Sequence, residues 1–271
     1  FIIWMKVVIT GASGFVGNAL CKQLLKQGDK PLGFTRGYAN QLMNIASYEE
    51  LPGDEEAVLV HLAQNRNVSA PYDSQAIKIC RNMTKMAWRH IVYASSAMVY
   101  GDQRKHPRRP EEKVVAYNEY SRMKIDCERI FAEAGATCLR LSNLYGEGMC
   151  EGTVISDILR QIPTEDTMEL RNPSAIRDFL WIEDAAECIG SACIAKANAI
   201  LNVGSGKATK IGELAKLALE LANGPTRPIT SKSDSSIQSC LKLDITKTKS
   251  LLKWSPKTNL RMGLSFLSSI N

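Results

Sequence analysis

Histidine is scarce and paired cysteines are missing: the 271 residues hold three histidines, and none of the eight cysteines sits in a Cys-x-x-Cys pair. Zinc centres draw on those residue types at short spacing, so no metal site is expected. No apolar run approaches the roughly 20 residues that cross a bilayer, so no membrane partner is expected. Basic charge is not concentrated either. The formal net charge is +6, and the densest run, Arg104, Lys105, His106, Arg108 and Arg109, is broken by Pro107 and Pro110. Nucleic-acid binding calls for a clustered basic face. This run reads instead as a solvated loop, and no nucleic-acid partner is expected. Internal repeats and low-complexity segments are also missing. Several of the cysteines lie in apolar runs, as buried thiols do, which fits a reducing, cytoplasmic compartment. Met5 reads as the natural start; residues 1–4 are too few for a signal peptide.

What is present is ordinary for a folded enzyme: 45% apolar and 23% charged residues. The modest positive charge suits anionic cofactors and substrates. Short apolar runs at 6–10, 31–35, 57–63, 90–95, 137–141, 179–182 and 200–203 read as strands. Helical spacing follows Gly17 (Ala19, Leu20, Leu24, Leu25, closed by Gly28) and recurs at 77–88, 117–134, 154–162, 185–195, 211–221, 245–252 and from Leu260. A short helix is expected at 48–51 and a turn at 254–256. Strands alternating with helices predict an α/β fold with a doubly wound parallel sheet of Rossmann type.

Gly11, Gly14 and Gly17 form G-x-x-G-x-x-G between the first strand and the first helix. Glycine there permits the tight turn, the approach of backbone to a pyrophosphate, and close helix–strand packing. The helix N-terminus offers free N–H groups to the phosphates. A dinucleotide is therefore expected on Gly11, Ser13, Gly14, Phe15, Val16 and Gly17. The second strand ends Gly33-Phe34-Thr35-Arg36, without the acidic residue that would bind an adenosine ribose hydroxyl. Thr35 and Arg36 are expected to contact a 2′-phosphate, which favours NADP with NAD as the alternative.

Tyr120 and Lys124 lie four apart on a predicted helix and share a face. A nearby ammonium is expected to lower the tyrosine pKa from about 10 so that it acts as acid or base. Tyr117 has Ser121 at the matching position and lacks that partner. Ser95 and Ser96 end a predicted parallel strand, where active sites of such sheets form.

Together these segments resemble an extended short-chain dehydrogenase/reductase, of the NAD(P)-dependent nucleotide-sugar epimerase/dehydratase/reductase group. The matching stretches are G-A-S-G-F-V-G (11–17), H-L-A (61–63), Y-A-S-S-A-M-V-Y-G (93–101), Y-S-R-M-K (120–124), R-L-S-N-L-Y-G-E-G (140–148), R-D-F-L-W-I-E-D-A-A (177–186), N-V-G-S-G (202–206) and L-L-K-W-S-P-K (251–257). The resemblance implies a dinucleotide-binding domain over 5–146, joined by 174–203, and a smaller C-terminal substrate lobe from 147–173 and 204–271. It implies Leu62 and Ala63 beside the cofactor, Tyr120 as general acid/base, Lys124 also on the nicotinamide ribose, and Ser96 on the substrate oxygen. Asn143 would touch the sugar or its phosphates, and Arg177 would clamp a diphosphate; the alternative for Arg177 is an ion pair with Asp178 or Asp184. Asn82 matches a helix asparagine of the family only loosely. A homodimer through the Tyr120 helix and the helix before it is also implied.

The departures narrow the chemistry. Ser96 is followed by Ala97 and Met98, where sugar 4,6-dehydratases carry an acidic pair. The lobe segment from Gly148 to Arg177 is short, and Lys232 only weakly replaces an arginine expected before Asp244. Epimerisation at C4 and reduction of a 4-keto sugar stay open. So do reduction of a non-nucleotide carbonyl compound and a catalytically silent dinucleotide sensor.

Overall fold

A computed structural model describes residues 4–37, 42–65, 67–164, 167–224, 226–232 and 239–267. In chain order the elements are β1 (Lys6–Thr10), α1 (Phe15–Lys26), β2 (Lys30–Thr35), β3 (Met43–Asn44), β4 (Asp54–His61), α2 (Ser74–Lys85), β5 (Trp88–Ser96), α3 (Glu119–Glu133), β6 (Thr137–Leu141) and β7 (Asn143–Tyr145). There follow α4 (Val154–Gln161), β8 (Met168–Leu170), β9 (Ile176–Arg177), β10 (Phe179–Trp181), α5 (Ile182–Ala195), β11 (Ile200–Val203), β12 (Thr209–Lys210), α6 (Ile211–Leu221), β13 (Ile229–Ser231), β14 (Cys240–Leu241), α7 (Thr246–Leu252) and α8 (Leu260–Ser265). Short 3-10 turns occupy Tyr48–Glu50 and Ala97–Tyr100.

Seven strands form one parallel sheet in the order β11-β6-β5-β4-β1-β2-β3. The order reverses between β1 and β4, which opens a crevice at their C-terminal ends. Thr10 is level with Phe34 on one side and His61 on the other, so the chain leaves three strands at that crevice. The expected doubly wound α/β sheet is what the chain forms. Its strands are apolar on both faces because helices cover both. Val7 and Ile9 pack with Leu20 and Leu24 of α1 and Ile189 of α5. Val8 and Leu59 face Ile79 and Met83 of α2 and Phe131 of α3. A separate cluster joins Ile155 and Ile158 of α4, Leu214 and Ala218 of α6, and Trp181. Among the described residues no helix is long and apolar enough to cross a membrane.

Several boundaries move for local reasons. The helix expected over 117–134 starts at Glu119, because Asn118 caps it by accepting from Ser121 N while the Ser121 hydroxyl returns the bond. The helix expected at 77–88 begins at Ser74, behind Asp73, whose carboxylate accepts from Gln75 and Ala76 N; it ends at Lys85, and Trp88 opens the next strand. Glu183 and Asp184 belong to the first turn of α5, where their charge complements the helix dipole.

The basic run at 104–109 is not a uniformly solvated loop. Arg108 is buried: its Nε donates to Glu112 Oε2 at 2.8 Å and Nη1 to the Tyr100 carbonyl at 2.8 Å. Sequence spacing does not reveal this, because the carboxylate that draws the arginine inward follows Pro110 on the far side of the turn.

Candidate active site

The phosphate turn is built as its glycines require. Gly11 has φ +70°, and a Cβ there would lie 3.0 Å from the Ala63 backbone. A Cβ on Gly17 would strike Gly11 O at 2.3 Å and Ala12 Cα at 2.7 Å. Gly14 is the N-cap of α1, without a side-chain cap and without an acidic residue in the first turn. The leading N–H groups thus keep their positive end for an anion. Thr10 ties this turn to the end of β4: its hydroxyl accepts from Leu62 N (3.2 Å) and Ala63 N (3.4 Å) and meets His61 Nδ1 at 2.8 Å. Burial pushes the His61 imidazole down to about 3, with Lys124 adding to the effect, so it is neutral. A surface cleft of about 630 Å³ runs from Ser13 and Phe15 along α1 to Lys26, bordered by Trp181 and Phe266 and not by Ser96, Tyr120 or Lys124. The glycine turn and the uncapped helix end fit a dinucleotide pyrophosphate.

At the end of β2, Thr35 is buried and its hydroxyl meets Ser13 Oγ at 2.8 Å and accepts from Gly37 N at 3.3 Å. Arg36 is exposed, its guanidinium 5.5 Å from the centre of the Tyr48 ring. Tyr48, in the 3-10 turn, accepts from Gly11 N through its hydroxyl at 3.1 Å. Arginine and glycine turn are thereby linked through one phenol.

Ser96 ends β5 and caps the following 3-10 turn by accepting from Met98 N at 3.2 Å. Its hydroxyl faces the phenol of Tyr120, in the first turn of α3, closely enough to favour the phenolate. Lys124 is buried one turn on, 6.0 Å from the Tyr120 ring centre. Its ammonium donates to Gln64 Oε1 at 2.6 Å and to Ala94 O at 2.9 Å. Serine, tyrosine and lysine are therefore brought together. The expected acidification of the phenol by lysine is not: burial raises Tyr120 above its ordinary value, and only Ser96 pulls it back. The reason is that the ammonium is held on the Gln64 side. Burial pushes Lys124 itself down to about 8.

The remaining sequence candidates lie toward the small sheets. Asn143 opens β7 and donates through Nδ2 to Asp178 O at 3.3 Å. Arg177 ends β9, and its partner is neither Asp178 nor Asp184. Its Nη2 donates to Asp102 Oδ2 at 2.9 Å and to Ser239 Oγ at 2.7 Å. Asp178 is buried and accepts instead from the Ser205 and Gly206 amides at 2.7 and 3.0 Å. Asp184 accepts from the Lys257 and Thr258 amides at 3.2 and 2.8 Å. Lys232 pairs with Glu169 at 3.1 Å. Gln64, Tyr48 and Asp102 were not singled out from the sequence. Gln64 follows the recognised H-L-A by one residue, but nothing in the local pattern announces its reach to α3.

A parallel sheet with a glycine turn at its switch point, and a Ser–Tyr–Lys group at the end of β5 and the start of α3, defines a dinucleotide-dependent enzyme fold. Residues 7–204 match the NAD dependent epimerase/dehydratase family, and the chain belongs to it. It is 26% identical to UDP-glucuronic acid decarboxylase 2 of Arabidopsis thaliana, over 97% of this chain and 67% of that one. It is 22% identical to UDP-glucose 4-epimerase of Halalkalibacterium halodurans, over 93% and 91% of the two chains. The fold matches MoeE5, solved in complex with UDP-glucose and NAD, with a TM-score of 0.83 at 20% identity, covering 96% of each chain.

Proposed function

We propose that this chain transfers hydride and proton at C4 of a nucleotide sugar and leaves C5 untouched, so that it acts as a 4-epimerase. One observation carries this: the turn that brings Ser96 to the Tyr120 phenol continues with Ala97 and Met98. Dehydration and decarboxylation both require a proton to be moved at C5, beside the oxidised carbon. Neither side chain can hold one.

The nicotinamide dinucleotide, when bound, supplies the hydride acceptor and donor. Gly11, Ser13, Gly14, Phe15, Val16 and Gly17 would hold its pyrophosphate, Thr35 and Arg36 its adenosine ribose, Leu62 and Ala63 its middle, and Tyr120 and Lys124 its nicotinamide ribose. Tyr120 takes the proton of the C4 hydroxyl and later returns it. Ser96 hydrogen-bonds the same oxygen and fixes its direction. Lys124, cationic below about pH 8, directs its remaining N–H to the nicotinamide ribose rather than acidifying the phenol. Asn143 orients the sugar, and Arg177 exchanges Asp102 for the diphosphate, a trade that guanidinium geometry suits. Residues 5–146 and 174–203 would form the dinucleotide half, and 147–173 with 204–271 the substrate lobe.

A second outcome, reduction of a 4-keto sugar by NADPH, is favoured by one feature: the end of β2 offers Thr35 and Arg36 and no carboxylate. The test is incubation with UDP-glucose, UDP-galactose and UDP-glucuronic acid, each with NAD or NADP, and chromatography of the products. A parallel arm follows NADPH consumption with a UDP-4-keto sugar. Appearance of the 4-epimer, or reduction of the keto sugar, supports C4 chemistry. Carbon dioxide or a 6-deoxy product would overturn it.

A further inference from the structure

We infer that Gln64 is a positioning residue for Lys124: its side-chain amide holds the ammonium in place without neutralising it, so that the full positive charge remains available to the site. The inference rests on the role given above to Tyr120 and Lys124, but one arm of its test does not.

Gln64 lies just past β4, where its backbone N–H bonds Leu62 O at 3.0 Å. Its Oε1 accepts twice, from Lys124 Nζ at 2.6 Å and from Tyr93 Oη at 2.7 Å. Its Nε2 donates to Cys127 Sγ at 3.1 Å. Two donors on one end and a sulfur on the other fix which end of the amide is oxygen. One side chain thus joins β4, β5 and α3 around the ammonium. Two of the three ammonium N–H bonds are met by Gln64 Oε1 and Ala94 O, which leaves one for the phenol or a ribose hydroxyl.

The titratable groups around Lys124 do not replace this contact. From α3, both oxygens of Glu128 are taken by Arg140, at 2.6 and 3.0 Å, and burial keeps the Tyr120 phenol protonated. The thiols of Cys127 and, from α2, Cys80 lie close by: Cys80 and Lys124 draw Cys127 below its ordinary value, and both thiols, like Glu128, favour the charged lysine, but burial outweighs them. From β5, burial keeps the Tyr93 phenol protonated. From β4, His61 is neutral. The direct partners of the ammonium are therefore dipoles rather than a carboxylate. A carboxylate at position 64 would hold it as firmly but would cancel the charge that the ammonium presents to the site. The amide is the side chain of that length that binds without cancelling.

The test compares wild type, Gln64→Leu and Gln64→Glu. The Lys124 side chain is titrated by heteronuclear NMR with labelled lysine, its signal assigned by its loss in Lys124→Met. Gln64→Leu should lower the Lys124 midpoint by about one pH unit, and Gln64→Glu should raise it by about one unit or more. The alkaline limit of turnover should move in the same two directions, and Gln64→Glu should also lose turnover at its optimum. Should Gln64→Leu not fold, Gln64→Asn, shorter by one methylene, carries the same expectation. Unchanged midpoints across the variants would overturn the inference. Shifted midpoints in a protein that turns over no nucleotide sugar would leave Gln64 in its place and overturn the proposed function instead.

Discussion

Replacing Lys124 by methionine should make the protein more stable while abolishing turnover. Lys124 is 7% exposed, and burial lowers its pKa from the ordinary 10.5 to about 8. One unit corresponds to about 1.4 kcal/mol, so holding the charged amine inside costs about 3 kcal/mol wherever it is protonated in both states. Methionine fills a similar volume without charge. It also leaves Ala94 O and one lone pair of Gln64 without the ammonium, a loss on the order of 1 kcal/mol. The net gain is about 2 kcal/mol at pH 7, or roughly 5 °C in Tm for a chain of this size. The sign with pH follows from linkage. Below pH 8 both folded and unfolded lysine are charged and the cost is constant. Between about 8 and 10.5 the unfolded chain binds the extra proton, so wild-type stability rises and the gap to the variant closes. Urea unfolding followed by tryptophan fluorescence, without added nucleotide, measures both quantities, and an unchanged m-value licenses the comparison. A variant less stable than wild type at pH 7, or a gap that persists to pH 10.5, would refute the reasoning.

Tyr120→Phe should reduce turnover by roughly 100-fold, as expected for loss of a general acid/base, while fluorescence titration finds cofactor affinity unchanged. Arg36→Ala should weaken NADP binding by about 10- to 100-fold, the worth of a charge-assisted bond, and leave NAD binding nearly unaltered; equal losses for both would remove Arg36 from a 2′-phosphate role. Asp102→Asn should free Arg177 and lower KM for a nucleotide sugar several-fold with kcat kept, and a raised KM would instead make Asp102 a substrate contact. Glu128→Ala should cost about 3–5 kcal/mol in denaturation, because it strands the buried Arg140 guanidinium.

The local chemistry of the sequence carries most of this architecture. The first glycine turn, the 6–10 strand, and the strand at 200–203 and helix at 211–221 could be read from residue spacing alone, because period-two and period-3.6 patterns report burial directly. Ser96, Tyr120 and Lys124 could also be gathered, since strand ends and a four-residue helical step fix their neighbourhood. What could not be read depends on contacts between distant segments. Arg177 meets Asp102 across 75 positions and Lys124 meets Gln64 across 60. In each case the sequence offers several acceptors of similar chemistry, and only the packing of loops selects one. Arg108 shows the same limit: a basic run gives no sign of which member will turn inward.

The treatment of buried charge separates structure from chemistry in this molecule. Among the described residues three cationic side chains, Arg108, Lys124 and Arg140, are buried. Arg108 has Glu112 at 2.8 Å and Arg140 has Glu128 at 2.6 Å. Both arginines also reach Tyr100, Arg108 at its carbonyl and Arg140 at its hydroxyl, and that hydroxyl donates to Asn202 Oδ1 at 2.7 Å. These pairs thereby anchor the turn that begins at Ser96 against β11. Lys124 differs in having carbonyl oxygens where the arginines have carboxylates. An ion pair satisfied for stability spends its field on its partner. A cation held by dipoles keeps that field for whatever approaches, at a cost in stability that a purely structural site would not retain. The same logic makes Gln64→Glu and Lys124→Met a matched pair: each relieves the buried charge, one by pairing it and the other by removing it, and each should exchange turnover for stability.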